Sequence, residues 1–327
     1  MRAAYVEELG PAEEIRIGEL PRPEPGPADV LVRVEAVAVN PVDTYVRSGA
    51  YRTALTLPFI IGRDLVGIVE DAGAGAVGFA PGDHVWCNSL GHGGRQGPAA
   101  QYAVVAAERL YHLPDGADPV KSVAVVHPVA TAQLALFTHG RLEPGETVYV
   151  AGGAGHVGGA AITLAVRAGA RVIASAGPED LDRCRALGAE VALDYHDPEL
   201  TARVADAAPG GVELQVDTSG HNDLVAAVGL LARRGRIVVI AGLRATTEIP
   251  LGELYRRDGR VIGFVISNAS VAELAGAAER INQLLAAGIL DPGPVETLPL
   301  SAAAEAHRRL ESGAARGRRL VLAVSRP

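Results

Sequence analysis

The sequence predicts an α/β fold in which a doubly wound parallel sheet of six strands is joined to a largely antiparallel, barrel-like β domain. Three observations carry this. The first third of the chain holds short apolar runs between Gly/Pro turns. From about Lys121, compact apolar strands alternate with helix patterns, which builds a parallel sheet covered on both faces. At 327 residues the chain exceeds the commonest single-domain size, so one large or two ordinary domains are expected.

The elements follow in order. "DVLVRVEAVAVN", "LVGIVEDAG", "GDHVWCN" and "QYAVVA" alternate or run apolar as strands do, and "LPRPEPGPAD" is a turn-rich connector. Then "TVYVAG", "RVIASA", "EVALDY", "VELQVDTS" and "RIVVIAG" read as buried strands. The stretches between them, "HVGGAAITLAVRA", "EDLDRCRALGA", "DPELTARVADA" and "NDLVAAVGLLARRG", read as helices. A sixth strand, "GRVIGFVI", and a helix, "SVAELAGAAERINQLLAAG", follow. The tail gives one more helix and a last strand with no place in the parallel alternation, which returns to the first domain.

Composition excludes several function classes. The net charge of −8 gives no bulk attraction to nucleic acid or anionic membrane, so neither is expected as a partner. Arg233, Arg234 and Arg236, like Arg316, Arg318 and Arg319, read as turns. Cys87 and Cys184 lie far apart without a CxxC, which fits a reducing cytoplasm. The start, "MRAAYVEELG", has no apolar signal core, and no run of about 18 uninterrupted apolar residues is present to span a bilayer.

In "AGGAGHVGG", Gly153, Gly155 and Gly158 form GxGxxG after an apolar strand and at the start of a helix. That context marks a dinucleotide loop. The first glycine allows the tight turn, the second a close approach of backbone to pyrophosphate, and the third close helix–strand contact. The helix N-terminus offers amides and a positive dipole end. Gly152, Gly153, Ala154, Gly155, His156, Val157 and Gly158 are the expected cradle. An NAD-specific sheet ends its second strand with Asp or Glu. Here the strand ends "ASAGPED", with Ser175 where the acid is expected, which favours NADP, with NADPH preferred over NADH.

Further motifs lie along nearly the whole length: "NPVDTYVRSGAY", "PFIIGRDLVGIVEDAG", "GDHVW", "HPVATAQLAL", "VDTSG", "GRIVVIAG" and "ESGAARGRRLVL". With them the chain resembles the zinc-independent quinone oxidoreductases (zeta-crystallin type) of the medium-chain dehydrogenase/reductase superfamily. The resemblance implies a GroES-like β-barrel catalytic domain over residues 1–122 and 266–327, a Rossmann domain over 123–265, an active site in the interdomain cleft and a homodimer. It implies a reductase of quinones or related conjugated carbonyls. Asn40, Asp43 and Tyr45 belong at the nicotinamide end and Thr131 at its ribose or ring. Ser175 and Tyr195 belong near the 2′-phosphate, and Thr218, Ile240 and Gly242 along the cofactor. Phe264 and Ile266 serve the carboxamide, and Arg318 approaches from the tail.

The same comparison of motifs argues against a metal. Asn40 stands where zinc-dependent relatives have Cys, and Arg63-Asp64 where they have His-Glu. A catalytic zinc needs about three protein ligands, which leaves only a nonstandard set from His84, His92 and His127. Catalysis is then mainly positioning of the cofactor against its acceptor, with Tyr45, Tyr51 and Asn40 as the catalytic candidates. Tyr51 also resembles the proton-donating tyrosine of enoyl-thioester reductases, so reduction of an activated alkene is an alternative. A structural or RNA-binding crystallin-like role is another. Pro178 and Leu181 replace residues that help hold a 2′-phosphate in relatives, leaving Arg183 as a substitute. The loop "LGHGGRQGPAAQY" is unusually long and Gly-rich.

Overall fold

The computed structural model describes residues 1–324. Residues 325–327, the end of the second expected catalytic-domain segment, lie outside the described residues. The chain divides into two compact units, Met1–His127 with Leu274–Pro327, and Pro128–Glu273. The sequence places these boundaries near 122 and 266. The first falls inside the unbroken helix Pro119–Gln133, at Pro128.

Among the described residues, the first unit holds a seven-stranded sheet around the long strand Asp29–Ala38. Asp64–Ala72 and Tyr102–Ala106 pair antiparallel to it. The last strand, Arg319–Ala323, also lies antiparallel to Asp29–Ala38 and so joins this unit, while pairing parallel with Val295–Pro299. A three-stranded sheet of Arg2–Val6, Arg16–Glu19 and Phe59–Ile60 completes the β structure. Val30, Val32, Val34, Leu65 and Val85 fill the core, the inward half of the alternation read from sequence. One helix shows no periodic signal in the sequence: Pro41–Arg47 lies within the motif "NPVDTYVRSGAY". It is started by Pro at its first position, and its Asp43 carboxylate accepts a 2.7 Å hydrogen bond from the Asn40 amide.

The second unit holds a six-stranded parallel sheet. Its order is Val191–Asp194, Arg171–Ala176, Thr147–Ala151, Val212–Asp217, Leu231–Val239, Arg260–Gly263. The first strand in sequence sits third in space, so the order reverses beside it, at the topological switch point where nucleotides bind. The helix expected through Gly235 stops at Leu230, and Leu231 already pairs with Val212 as strand. Arg234, at φ 63°, marks the irregularity that follows. Helix Pro119–Gln133 continues as π-helical turns over Leu134–His139. This 21-residue run is long and apolar enough, by length and composition, to cross a bilayer. Most of it is buried inside the protein, so it serves as a core helix.

Candidate cofactor site and a buried polar cluster

In the second unit, strand Thr147–Ala151 ends in the glycine loop, and helix His156–Arg167 begins directly after it. The glycines have separate jobs. Gly152, at φ 82°, makes the left-handed turn that sequence reasoning gave to Gly153. Gly153 has ordinary φ but no room: a Cβ would stand 2.9 Å from the Ala174 Cβ and 3.0 Å from Ile162 Cδ1. At Gly158 a Cβ would fall 2.1 Å from the Gly152 carbonyl oxygen, so helix and strand come this close only without one. At Gly155 a Cβ would meet only that same oxygen, at 3.3 Å. Gly155 is exposed and caps the helix with no side chain, so the first-turn amides keep their polarity for an external anion. Ala154, His156 and Val157 are partly exposed on this loop.

Neighbouring strands hold the loop still. The Gly152 and Gly153 amides donate to the Ser175 carbonyl at 3.1 and 2.8 Å. Thr218 donates its hydroxyl to the Ala151 and Gly152 carbonyls at 2.8 and 3.1 Å. Asp217 accepts from the Ser219, Gly220 and Asn222 amides, and the Asn222 amide nitrogen donates to Ala241 O at 3.0 Å. Gly242, at φ 89°, packs so closely that a Cβ would lie 2.4 Å from Asn222 Nδ2. Ile240 donates to the Asp217 carbonyl. Asp217 and Asn222 therefore fix the rim on which Thr218, Ile240 and Gly242 sit. In "VDTSG" the functional signal missed beside Thr218 is Asp217: a strand-ending Asp before Thr-Ser-Gly fastens the loop that follows.

Ser175 is the largest departure from expectation. Its side chain is 2% exposed, and its oxygen accepts a 2.9 Å hydrogen bond from the Tyr149 hydroxyl. Side chains alternate along a strand. With Ala174 against Gly153, Ser175 faces the opposite side of the sheet, and Ala176 returns to the loop's side. The position aimed along the loop is thus Ala176, also without an acid. Tyr195 donates its amide to the Ala176 carbonyl at 3.1 Å, and its partly exposed ring lies 4.2 Å from that of His196. Phe264 stacks on His139 at 4.3 Å, Ile266 is buried, and Thr131 is buried in its helix.

The first unit carries its own polar centre. Asn40 is buried, and its amide is engaged at both ends: Nδ2 donates to Asp64 Oδ2 at 2.7 Å, and Oδ1 accepts from Arg319 Nη2 at 3.0 Å. His127 Nδ1 lies 3.1 Å from the other Asp64 oxygen. Burial, and then the Asp64 carboxylate, push Asp43 up to about 6 against the pull of Arg63. Arg318, the expected tail arginine, is exposed and only 3.9 Å from Glu296, whereas its buried neighbour Arg319 reaches Asn40. Tyr45 is 41% exposed at the surface of helix Pro41–Arg47. The Tyr51 amide donates to the Tyr45 carbonyl at 2.9 Å, and the Tyr51 ring lies 5.8 Å from His92. Among the described residues, no group of three or more His, Cys, Asp or Glu is disposed to hold a metal ion.

Two family models match this chain. An alcohol dehydrogenase GroES-like domain covers residues 26–115, and a zinc-binding dehydrogenase domain covers residues 157–283. The human quinone oxidoreductase is 30% identical over 98% of this chain and 97% of its own. Among solved structures, an NAD-dependent alcohol dehydrogenase superposes with TM-score 0.88 at 32% identity, covering 99% of this chain and 100% of that one. A mycobacterial protein complexed with NADPH superposes with TM-score 0.85 at 27% identity, covering 99% of each chain.

Proposed function

Because the chain belongs to the quinone oxidoreductase family of the medium-chain dehydrogenases/reductases, we propose that it reduces quinones or related conjugated carbonyls with NADPH and without zinc. It is a nicotinamide-dependent oxidoreductase with an alcohol dehydrogenase-like fold. The observation that carries the proposal is the glycine loop: closed to a side chain at Gly158, open at Gly155, and placed at the switch point of the sheet. A dinucleotide pyrophosphate fits that cradle.

When bound, the nicotinamide supplies a hydride, which with one proton converts a quinone to its hydroquinone while the cofactor is oxidised. The chain's own part is to bind and orient. The first-turn amides of helix His156–Arg167 hold negative charge, and Thr218 and Asp217 keep the loop rigid. No carboxylate stands at Ala176 or Ser175 to repel a 2′-phosphate, which supports NADPH. Tyr195 and Arg183 are the proposed phosphate neighbours. Tyr45 and Asp43 serve the nicotinamide end, with Asn40 as the residue that positions them through its bond to Asp64. Zinc independence rests on the donor set: an amide and a guanidinium, Asn40 and Arg63, are not zinc ligands.

Alkene reduction is the second reading, favoured by Tyr51, whose hydroxyl has no hydrogen bond among the described residues and whose ring neighbours His92. A homodimer is proposed through the strand Arg260–Gly263. It ends the parallel sheet with one edge open, near the exposed Leu251 and Tyr255. Following NADPH oxidation across quinones, enones and enoyl thioesters tests the function. The quinone reading requires the quinones to be turned over fastest.

A further inference from the structure

The long Gly-rich loop after strand His84–Cys87 is fastened in place. Leu90 donates its amide to the Arg63 carbonyl at 3.2 Å, Gly93 to Thr53 Oγ1 at 2.9 Å, and Gly94 to the Ala54 carbonyl at 2.9 Å. The loop thereby lies against the stretch that carries Tyr51. It sets His92 beside the Tyr51 ring and brings Arg95 half-inside the protein. Arg95 spends only its Nε, on the Ser89 carbonyl at 3.0 Å. Both of its terminal nitrogens lack a hydrogen bond, and neither Arg95 nor Arg109 makes an ion pair among the described residues.

The nearby carboxylates are otherwise occupied. Asp64 is held by Asn40 and His127, and Asp43 by the Asn40 amide. Glu108 is exposed. Two further polar atoms here, His92 Nδ1 and the Tyr111 hydroxyl, are buried without a hydrogen-bond partner. Groups of this kind cost free energy until something satisfies them. The charges corroborate the geometry. Burial lowers the Arg95 pKa, with Arg109 and Arg63 adding to it, and Cys87 opposing. Burial, then Arg63, Arg95 and Arg109, push His92 down to about 4. Arg95 and Arg109, which make no ion pair among the described residues, form a half-buried positive field of the kind that receives an anion.

We propose that Arg95 and Arg109, with His92 beside Tyr51, bind the carboxylate of the acceptor, so that the enzyme selects quinones or conjugated carbonyls bearing an acidic substituent. This rests on the reductase reading and narrows its substrate class. A planar carboxylate matches the paired terminal nitrogens of Arg95.

The test compares a naphthoquinone carboxylate with its carboxamide, which has nearly the same shape and no charge, at pH 7.5. The expected kcat/KM is at least tenfold higher for the carboxylate, mostly through KM, and 0.3 M KCl narrows the gap. Arg95→Gln brings the ratio near one and Arg95→Lys restores part of it. Arg109→Gln gives a second, independent reduction should Arg95→Gln fold poorly by circular dichroism. A ratio near one in the parent, or a ratio that neither arginine variant moves, overturns the proposal and leaves the quinone reading intact. If no quinone of either kind is reduced, the reductase reading falls instead, and calorimetry with redox-inert 1-naphthoate and 1-naphthamide decides the anion site. Preferential naphthoate binding lost in Arg95→Gln upholds it; equal binding overturns it.

Discussion

Replacing Gly155 by Val separates cofactor binding from folding. Gly155 has φ −66° and ψ 165°, an extended conformation open to any residue. Its Cβ would meet one atom, the Gly152 oxygen at 3.3 Å, and otherwise point outward. Stability is therefore expected to fall by no more than about 1 kcal/mol. The two γ-methyls occupy the approach of the pyrophosphate, and displacing it from one charge-assisted backbone contact costs about 1.5–3 kcal/mol. That is roughly a ten- to hundredfold rise in the NADPH dissociation constant. Gly158→Ala provides the contrast, since its Cβ would overlap the Gly152 oxygen at 2.1 Å and must distort the loop itself. Titration of NADPH by fluorescence, with thermal melts of each variant, reads both effects. A folded Gly155→Val protein that binds NADPH as tightly as the parent refutes the assignment of the loop. So does a Gly158→Ala protein that melts and binds like the parent.

Four other outcomes are expected. Ala176→Asp should shift the kcat/KM ratio toward NADH by tenfold or more. Ser175→Asp should instead lower the melting temperature, because its carboxylate is buried against Tyr149; a cofactor switch at Ser175 would contradict the strand alternation. Asp43 is the source of a pH effect: its carboxyl is raised from 3.8 to about 6, so the folded state holds the proton more tightly than the unfolded chain. Its stabilising share is complete below about pH 4 and lost as pH rises through 6. Against Asp43→Asn, the parent should lose about 2 kcal/mol of stability between pH 4.5 and 7.5, an order-of-magnitude figure. Denaturant melts of both proteins at pH 4.5 and 7.5 check it, and parallel pH profiles would contradict it. Finally, dialysis against a strong chelator should leave quinone reductase activity within about twofold of the start, whereas loss of activity restored by zinc would contradict the donor-set argument built on Asn40 and Arg63.

Much of the fold was legible because its signals are local. Period-two apolar runs gave the strand Asp29–Ala38, and the switch from short strands to strand–helix alternation gave the parallel sheet. What failed depended on contacts distant in sequence or on an element too short to show a period. The strand Leu231–Val239 begins in residues with helical composition because Leu231 pairs with Val212. The helix Pro41–Arg47 is short, and its capping depends on the Asn40–Asp43 pair. In the site, the glycine pattern located the loop but misassigned its turn, since φ at Gly152 is set by the Thr218 side chain and the Ser175 carbonyl. The side on which Ser175 points follows from strand register, a one-residue matter that motif spacing does not resolve. Arg319 was passed over for Arg318 for the same reason: only pairing with Asp29–Ala38 decides which of two adjacent arginines turns inward.

The most direct test of the central claim is the stoichiometry of NADPH oxidised to quinone reduced by chelator-treated enzyme under anaerobic conditions. One NADPH is expected to be consumed per hydroquinone formed, at a rate unaffected by added zinc. Absence of quinone-dependent NADPH oxidation, together with zinc-dependent oxidation of an alcohol by NAD, would contradict it.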